Sequence, residues 1–299
     1  MTQQLGVFDL TNEQYHASEG ISRSKLWTFK QLPYKFWHQY MSGQYERPKT
    51  SKAFYLGSLV HTMVLEPHLL QTEYALKPTL EKLPPEVRLK DVGKEQFEQV
   101  KLTRKEVQDR NKLLMDEFEK DLTSKAVVNE EDFALANAMR NAVMANNTAV
   151  DLMAGAKFEK SIYWKHEATG LICKTRPDIW NGRIVADLKT CNDAGYRGFQ
   201  LAAYKDGYFL QAAMMYEGLK SIGEPFHNFV YVCVEKTEPY SVALYMLDDD
   251  ALQFGIDMFH SLMERIAQCF EKNVWPDYGI CKLTIPKYAT IESNGEIYD

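Results

Sequence analysis

Asp178, Asp187 and Lys189 lie close together in the chain and are the residues best suited to phosphate chemistry. Two carboxylates can hold a hard cation such as Mg²⁺, which prefers carboxylate oxygens and keeps several waters. A lysine on the same face can orient or deprotonate an attacking water, or steady charge on a phosphate. That chemistry requires the three side chains to converge.

The stretch 170–191 supplies a way to converge. Asn181-Gly182 sits between runs rich in Ile, Val and Trp, the signal for a two-residue hairpin turn. Such a turn pairs Trp180 with Arg183, Ile179 with Ile184, Asp178 with Val185 and Arg176 with Asp187. Side chains alternate across a strand and paired residues share a face. One face then carries Thr175, Pro177, Ile179, Ile184, Ala186 and Leu188; the other carries Lys174, Arg176, Asp178, Asp187 and Lys189, with Val185. Asp178 and Asp187 become diagonal neighbours, with backbone positions roughly 7–8 Å apart. A slip of one residue would send the acids into the core, so the register is well specified. The plainer alternative is an exposed hairpin face with a surface ion pair. Three functional groups aligned above an apolar opposite face favour a site.

Other elements flank this hairpin. Ser22 caps a helix from about Arg23, and Pro33 interrupts it before a second helix over 34–41. These helices mix Arg23, Lys25, Lys30 and Lys35 with Trp27, Phe29, Phe36 and Trp37. The aromatics either stack on bases or, as their helical spacing favours, pack into the core while the basic residues face phosphate. Ala53–Leu65 reads as a helix with Gly57 one turn before His61, leaving room near the imidazole. Glu66 is placed to fix that imidazole's tautomer. Residues 77–125 read as a charged helical insertion with a proline-rich start, inside a single domain over 1–299. Asn129 caps a helix over 130–146, and 158–166 reads as a strand beside the hairpin. Residues 199–222 form one helix with Tyr204, Tyr208, Gln211 and Met215 on a stripe, followed by strands at 226–234 and 240–247 and a helix to about Lys272.

Composition permits this chemistry without demanding it. Lys and Arg number 35 against 41 Asp and Glu, a net charge of −6, which argues against coating nucleic acid by bulk attraction. Acidic metal ligands and a local basic channel are compatible with that balance. The five cysteines are scattered without CxxC spacing, so neither zinc, a disulfide framework nor an iron–sulfur cluster is expected. No apolar run reaches the roughly 20 residues of a membrane span, and no leader is evident, so a cytoplasmic protein is expected.

Pro177-Asp178, eight intervening residues and Asp187-Leu188-Lys189 resemble the PD-(D/E)xK nuclease signature. Thr169-Gly170, Cys173-Lys174, Arg176, Thr190, Asp193-Ala194, Gly207-Tyr208 and Gln211-Ala212-Ala213 extend the likeness. Together they resemble the exodeoxyribonuclease VIII (RecE-type) phage recombination exonucleases. The resemblance continues upstream through Gly57-Ser58-Leu59-Val60-His61 and Glu66-Pro67, and spans nearly the whole chain except about 77–125.

The resemblance implies an α/β fold, a central mixed sheet of about five strands flanked by helices, with the site on one sheet edge. It implies Mg²⁺ on Asp178, Asp187 and His61, with the Leu188 carbonyl as an optional further ligand, and Lys189 on the attacking water; whether Mn²⁺ can take the place of Mg²⁺ stays open. Glu159 matches a family glutamate and either approaches the metal or sits exposed on its strand. Tyr208 and Gln211 either hold a substrate phosphate or base, or fill a helix–sheet seam; Arg176, Arg23 and Lys25 complete the substrate contacts. The implied activity is 5′→3′ digestion of double-stranded DNA ends, leaving a 3′ single strand for recombination by an annealing protein. A homo-oligomeric ring of three or four subunits is implied, with the tail from Trp275 to Tyr288 and the aromatic N-terminal helices as interface surfaces. The rivals are a repair or CRISPR-type nuclease of other polarity and a non-catalytic DNA-end-binding protein.

Overall fold

The computed structural model describes residues 4–46, 52–120, 122, 125–285, 290–291 and 297–298. The N-terminal part runs β1 (Gly6–Phe8), α1 (Asn12–Ala17), α2 (Arg23–Gln31) and α3 (Pro33–Tyr40). Ser22 Oγ accepts the Lys25 N–H at the start of α2, and Pro33, with no N–H to give, occupies the first turn of α3. The chain continues through α4 (Lys52–Leu65), α5 (Leu70–Glu73), β2 (Tyr74–Leu76), α6 (Leu89–Val92), α7 (Lys94–Lys120) and β3 (Ala126–Val128). Next come α8 (Glu130–Ala145), capped by Asn129, and α9 (Asn147–Met153).

The strands that carry the site follow: β4 (Lys157–Phe158), β5 (Ser161–Lys165), β6 (Ile172–Thr175), β7 (Ile179–Trp180) and β8 (Ile184–Cys191). After them come α10 (Tyr196–Lys205), α11 (Tyr208–Ser221), β9 (Asn228–Glu235), β10 (Val242–Met246), α12 (Asp249–Lys272), β11 (Thr290–Ile291) and β12 (Ile297–Tyr298). The architecture is mixed α/β, as expected. A five-stranded sheet in the order β10-β9-β8-β7-β4 has β8 parallel to β9 and the other pairs antiparallel; a second sheet is ordered β1-β5-β6. No described helix is long and apolar enough to cross a membrane.

Helices cover both faces of the larger sheet. On one side Val185, Phe229 and Tyr231 pack with α2, α11 and α12, through Leu26, Leu210, Met214, Phe259 and Met263. On the other side Ala186, Leu188, Val230 and Val232 meet α4 and α8, through Leu59, Val60, Met63, Ala136, Met139 and Val143. This alternation along β8 is the period of two that a sheet covered on both faces imposes. It places Asp187 and Lys189 on the α11 side, in line with Val185.

The hairpin differs in register from the expectation. Ile179 pairs with Ala186 and Trp180 with Val185, so the two loop residues are Gly182 and Arg183 rather than Asn181 and Gly182. Gly182 takes φ +88° at the first loop position, and Asn181 closes the turn: its N–H donates to the Ile184 carbonyl and its Oδ1 accepts the Ile184 N–H. A single glycine at the first position fits a primed turn of this kind. The pairing moves by two residues, which keeps Ile179, Ala186 and Leu188 on one face and Trp180 and Val185 on the other, and sets Asp178 opposite Asp187 instead of diagonal to it.

Two expected strands are broken, and the breaks matter. The run 172–180 divides at Arg176-Pro177-Asp178: β6 belongs to the smaller sheet and β7 to the larger. Pro177 has no N–H for a ladder, so the chain changes partner there. The run 158–166 divides likewise at Glu159-Lys160, where Glu159 adopts φ +50°. Lys174 consequently leaves the expected face. Its ammonium is buried under the N-terminal segment, donating to the Tyr15 and Ser18 carbonyls at 2.6 and 2.7 Å.

The expected helix over 199–222 is two helices, broken at Asp206-Gly207. Gly207 has φ +74°, and a Cβ there would stand 2.4 Å from the Trp27 ring. Tyr204 is therefore exposed on α10, away from Tyr208, Gln211 and Met215 on α11. The site strand β8 is the middle strand of its sheet, not an edge.

Candidate functional site

The two strand breaks face each other, and the acidic residues gather between them. His61, Glu159 and Asp178 each offer a ligand atom within 4.8 Å of the others. His61 enters from α4 on the far side of the sheet. Its Nε2 is 2.6 Å from the Leu188 carbonyl oxygen and its Nδ1 is 3.5 Å from Asp178 Oδ2. The same Asp178 oxygen accepts the Leu188 N–H at 2.8 Å, tying the end of β7 to the middle of β8. Asp187 stands outside the trio but beside it. Gln211 on α11 donates to Asp187 Oδ1, and Lys189 forms an ion pair with Asp187 Oδ2.

These carboxylates are buried, which excludes the plain surface ion pair. Asp187 is 2 % exposed and Asp178 8 %. Burial, and then the neighbouring Asp187, hold the Asp178 carboxyl well above its usual range against the pull of Lys189, the Leu188 N–H and Arg176. Burial, and then Asp178, raise Glu159 to about 7, although Arg176 Nε donates to Glu159 Oε2 at 2.6 Å. Three carboxylates therefore face two fixed cations, Arg176 and Lys189. Asp187 Oδ2, Gln211 Oε1 and Arg176 Nη1 are buried with no hydrogen-bond partner among the described residues. The Lys189 contact to Asp187 Oδ2 is an ion pair outside hydrogen-bonding geometry. A donor set of carboxylate oxygens and one imidazole, crowded and under-neutralised, fits a divalent cation.

Lys189 is held from below by aromatic rings. Its ammonium lies 4.9 Å from the centroid of Tyr208, whose ring stacks on Tyr231 at 5.3 Å. Tyr231, paired with Asp187 across the parallel ladder, donates its hydroxyl to the Tyr208 carbonyl at 2.7 Å. The first turn of α11 is thereby pinned against β9, which aims Gln211 at Asp187. Burial raises the pKa of both phenols, so both stay neutral, Tyr208 as a ring under Lys189 and Tyr231 as a donor.

The remaining expected residues distribute as follows. Arg176 is at the cluster, its guanidinium 5.6 Å from the Tyr15 ring centroid. Arg23 donates to the Asp206 carbonyl at 3.1 Å, beside Tyr208. Lys25 turns towards the N-terminal loop, donating to the Gly20 carbonyl at 2.9 Å. Glu66 lies past the end of α4, and both His61 ring nitrogens face Leu188 and Asp178 instead. Gly57 does not open space for a ligand; it lets α4 approach β8, with Thr190 Oγ1 3.5 Å from where a Cβ would be. Pro286, Lys287 and Tyr288 of the expected interface tail lie outside the described residues. Tyr15, packed behind Arg176, gave no sequence signal, because nothing near it in the chain carries the chemistry.

The sequence profile of one family, a PDDEXK-like domain of unknown function (DUF3799), matches residues 22–286. The crystal structure of a candidate exonuclease from Eubacterium rectale is similar at TM-score 0.58 and 19 % identity, covering 93 % of this chain and 97 % of that one. At that identity it speaks for the fold. A second crystal structure, of SSO0001, has TM-score 0.26 and 16 % identity over 45 % of this chain and 67 % of that one, too low to carry an argument. No curated protein matches.

Proposed function

The chain belongs to the PDDEXK-like family DUF3799, and from that premise we propose that it is a metal-dependent exodeoxyribonuclease of the RecE type. It digests duplex DNA ends 5′→3′ and leaves a 3′ single strand. The observation that carries the hydrolytic reading is the buried convergence of Asp178, Asp187 and Lys189 with His61, Glu159 and Gln211. Exonuclease action is supported by the candidate exonuclease of like fold. Polarity and a role in recombination rest on the motif resemblance.

His61, Glu159, Asp178 and Asp187 would hold the divalent ion, Mg²⁺ or Mn²⁺, with the Leu188 carbonyl beside them. A bound divalent ion lowers the pKa of a coordinated water and withdraws charge from the phosphate. Lys189 positions the attacking water and steadies charge on the phosphate oxygens. Gln211 fixes the Asp187 carboxylate, and Arg176, with one unpartnered N–H group, offers a donor to a phosphate oxygen. Water adds to phosphorus as one ester P–O bond breaks; the hydroxyl stays on phosphate and the proton ends on the leaving oxygen. Digestion of long ends requires the protein to stay on DNA between cuts. A closed ring of three or four copies provides that, and the 3′ strand it leaves is a substrate for a single-strand annealing protein.

The test is incubation with linear duplex labelled at either the 5′ or 3′ end, and with circular duplex, in Mg²⁺ or chelator. Early release of the 5′ label, intact circles and no reaction in chelator are expected. Early release of the 3′ label overturns the polarity, cut circles overturn the exonuclease reading, and inertness in both Mg²⁺ and Mn²⁺ overturns hydrolysis.

A further inference from the structure

Helix α10 buries one face and leaves an unusual one uncovered. Phe199 and Ala203 point inward, with Phe199 stacked on Tyr245 at 4.9 Å and tilted against Tyr208 at 5.8 Å. Outward, Tyr196 and Tyr204 are 66 % and 60 % exposed, and Leu201 is 54 % exposed. Gln200 lies between the tyrosines and donates to the Tyr196 hydroxyl. Tyr196, Gln200 and Tyr204 form one ridge at spacings of four, and Arg197, Leu201 and Lys205 form the next. The helix carries no acid, and neither Arg197 nor Lys205 engages a carboxylate among the described residues.

This helix borders the site. Phe199 on the buried side rests on the same Tyr208 ring that supports Lys189. At the end of α10, Arg23 reaches the Asp206 carbonyl, and Trp27 covers Gly207 with the Lys30 ammonium 4.4 Å from its ring centroid. Basic and aromatic side chains thus lie on both sides of the α10–α11 turn, with the exposed Asp206 between them, in a protein of net charge −6. Exposed rings for stacking and cations for phosphate are the chemistry of a single-stranded polynucleotide. The two tyrosines stand about 12 Å apart along the helix axis, room for a base on each with sugar-phosphate between.

We infer that the exposed face of α10 is a path for a single DNA strand, with bases stacking on Tyr196 and Tyr204 and phosphates meeting Arg197 and Lys205. The choice of DNA as the polynucleotide rests on the nuclease reading; the surface itself does not depend on hydrolysis. The full-length protein in chelator, where no cleavage occurs, is titrated into a short fluorescein-labelled oligothymidylate and followed by anisotropy. Tyr196→Ala/Tyr204→Ala should bind at least about tenfold more weakly, and Tyr196→Phe/Tyr204→Phe within about twofold of wild type. Both residues are exposed, so melting temperature should not change. Equal binding by the alanine variant, or no binding by wild type, overturns the inference. So does a fall in mass on light scattering in the alanine variant, which would make the face a contact between copies. Hydrolysis of a thymidine 5′-monophosphate nitrophenyl ester in Mg²⁺ separates this from the nuclease reading. Both forms should hydrolyse it equally, and inertness of both with strand binding intact would remove the nuclease and leave the strand path.

Discussion

Removing the Glu159 carboxylate should stabilise the metal-free protein. Glu159 holds its proton up to about pH 7 in the folded chain because burial and Asp178 disfavour its charge, against an ordinary value of 4.5. A carboxyl that binds its proton more tightly folded than unfolded adds stability that is complete below pH 4.5 and lost by about 7. The gap corresponds to about 3 kcal/mol from this one group, and Asp178 acts in the same direction. In chelator, therefore, wild-type stability should fall between pH 5 and 8. Glu159→Gln keeps an acceptor for Arg176 but has no charge to bury. At pH 8 in chelator it should melt higher than wild type, by about 5 °C for a chain of this size. Mg²⁺ should reverse the order, raising the wild-type melting temperature with little effect on the variant. Differential scanning calorimetry in chelator and in Mg²⁺ reads all of this. A wild-type stability that is flat or rises from pH 5 to 8 in chelator would refute the reasoning, as would a variant less stable than wild type at pH 8.

Three further outcomes follow from particular contacts. Lys189→Ala should lower turnover by about 100-fold or more while Mg²⁺ binding by calorimetry is retained, because the ammonium sits on Asp187 and Tyr208 and is not a ligand. Loss of metal binding would make Lys189 structural. Gly207→Ala puts a Cβ at positive φ into the Trp27 ring and should cost about 3 kcal/mol, seen as a lower melting temperature and a shifted tryptophan emission. Light scattering should give three or four copies at micromolar concentration, with the length digested per encounter falling steeply as salt rises. A monomer with distributive digestion would remove the ring alone.

The faces of the hairpin were legible because the period of two survives a shift of two residues. The turn itself was not, since Asn181-Gly182 and Gly182-Arg183 both offer glycine at positive φ, and the choice lies in the pairs Ile179–Ala186 and Trp180–Val185 and in Asn181 closing on Ile184. Ser22 and Asn129 announced their helices through side-chain oxygens that satisfy first-turn N–H groups. The breaks at Glu159 and at Pro177 were hidden because sheet membership depends on distant partners: β5 pairs with β1, far away in sequence. The same dependence leaves Glu159 open between site and surface in the sequence, and keeps an exposed hairpin face as the alternative for Asp178 and Asp187, which are buried. Alternation puts Lys174 on the face of Asp178 and Asp187, whereas the strand break turns it into the anchor of the N-terminal segment.

The central claim is that buried carboxylates around Asp187 support metal-dependent cleavage of a phosphodiester, and one comparison tests it most directly. Nucleotide release from linear duplex DNA in Mg²⁺ is measured for wild type and Asp187→Asn, the variant keeping the shape of the side chain and an acceptor for Gln211. Wild type should release nucleotides only when Mg²⁺ is present, and the variant, folded by circular dichroism, should release none above the chelator background. Wild-type release unaffected by chelator, or release by Asp187→Asn at the wild-type rate, would contradict the account.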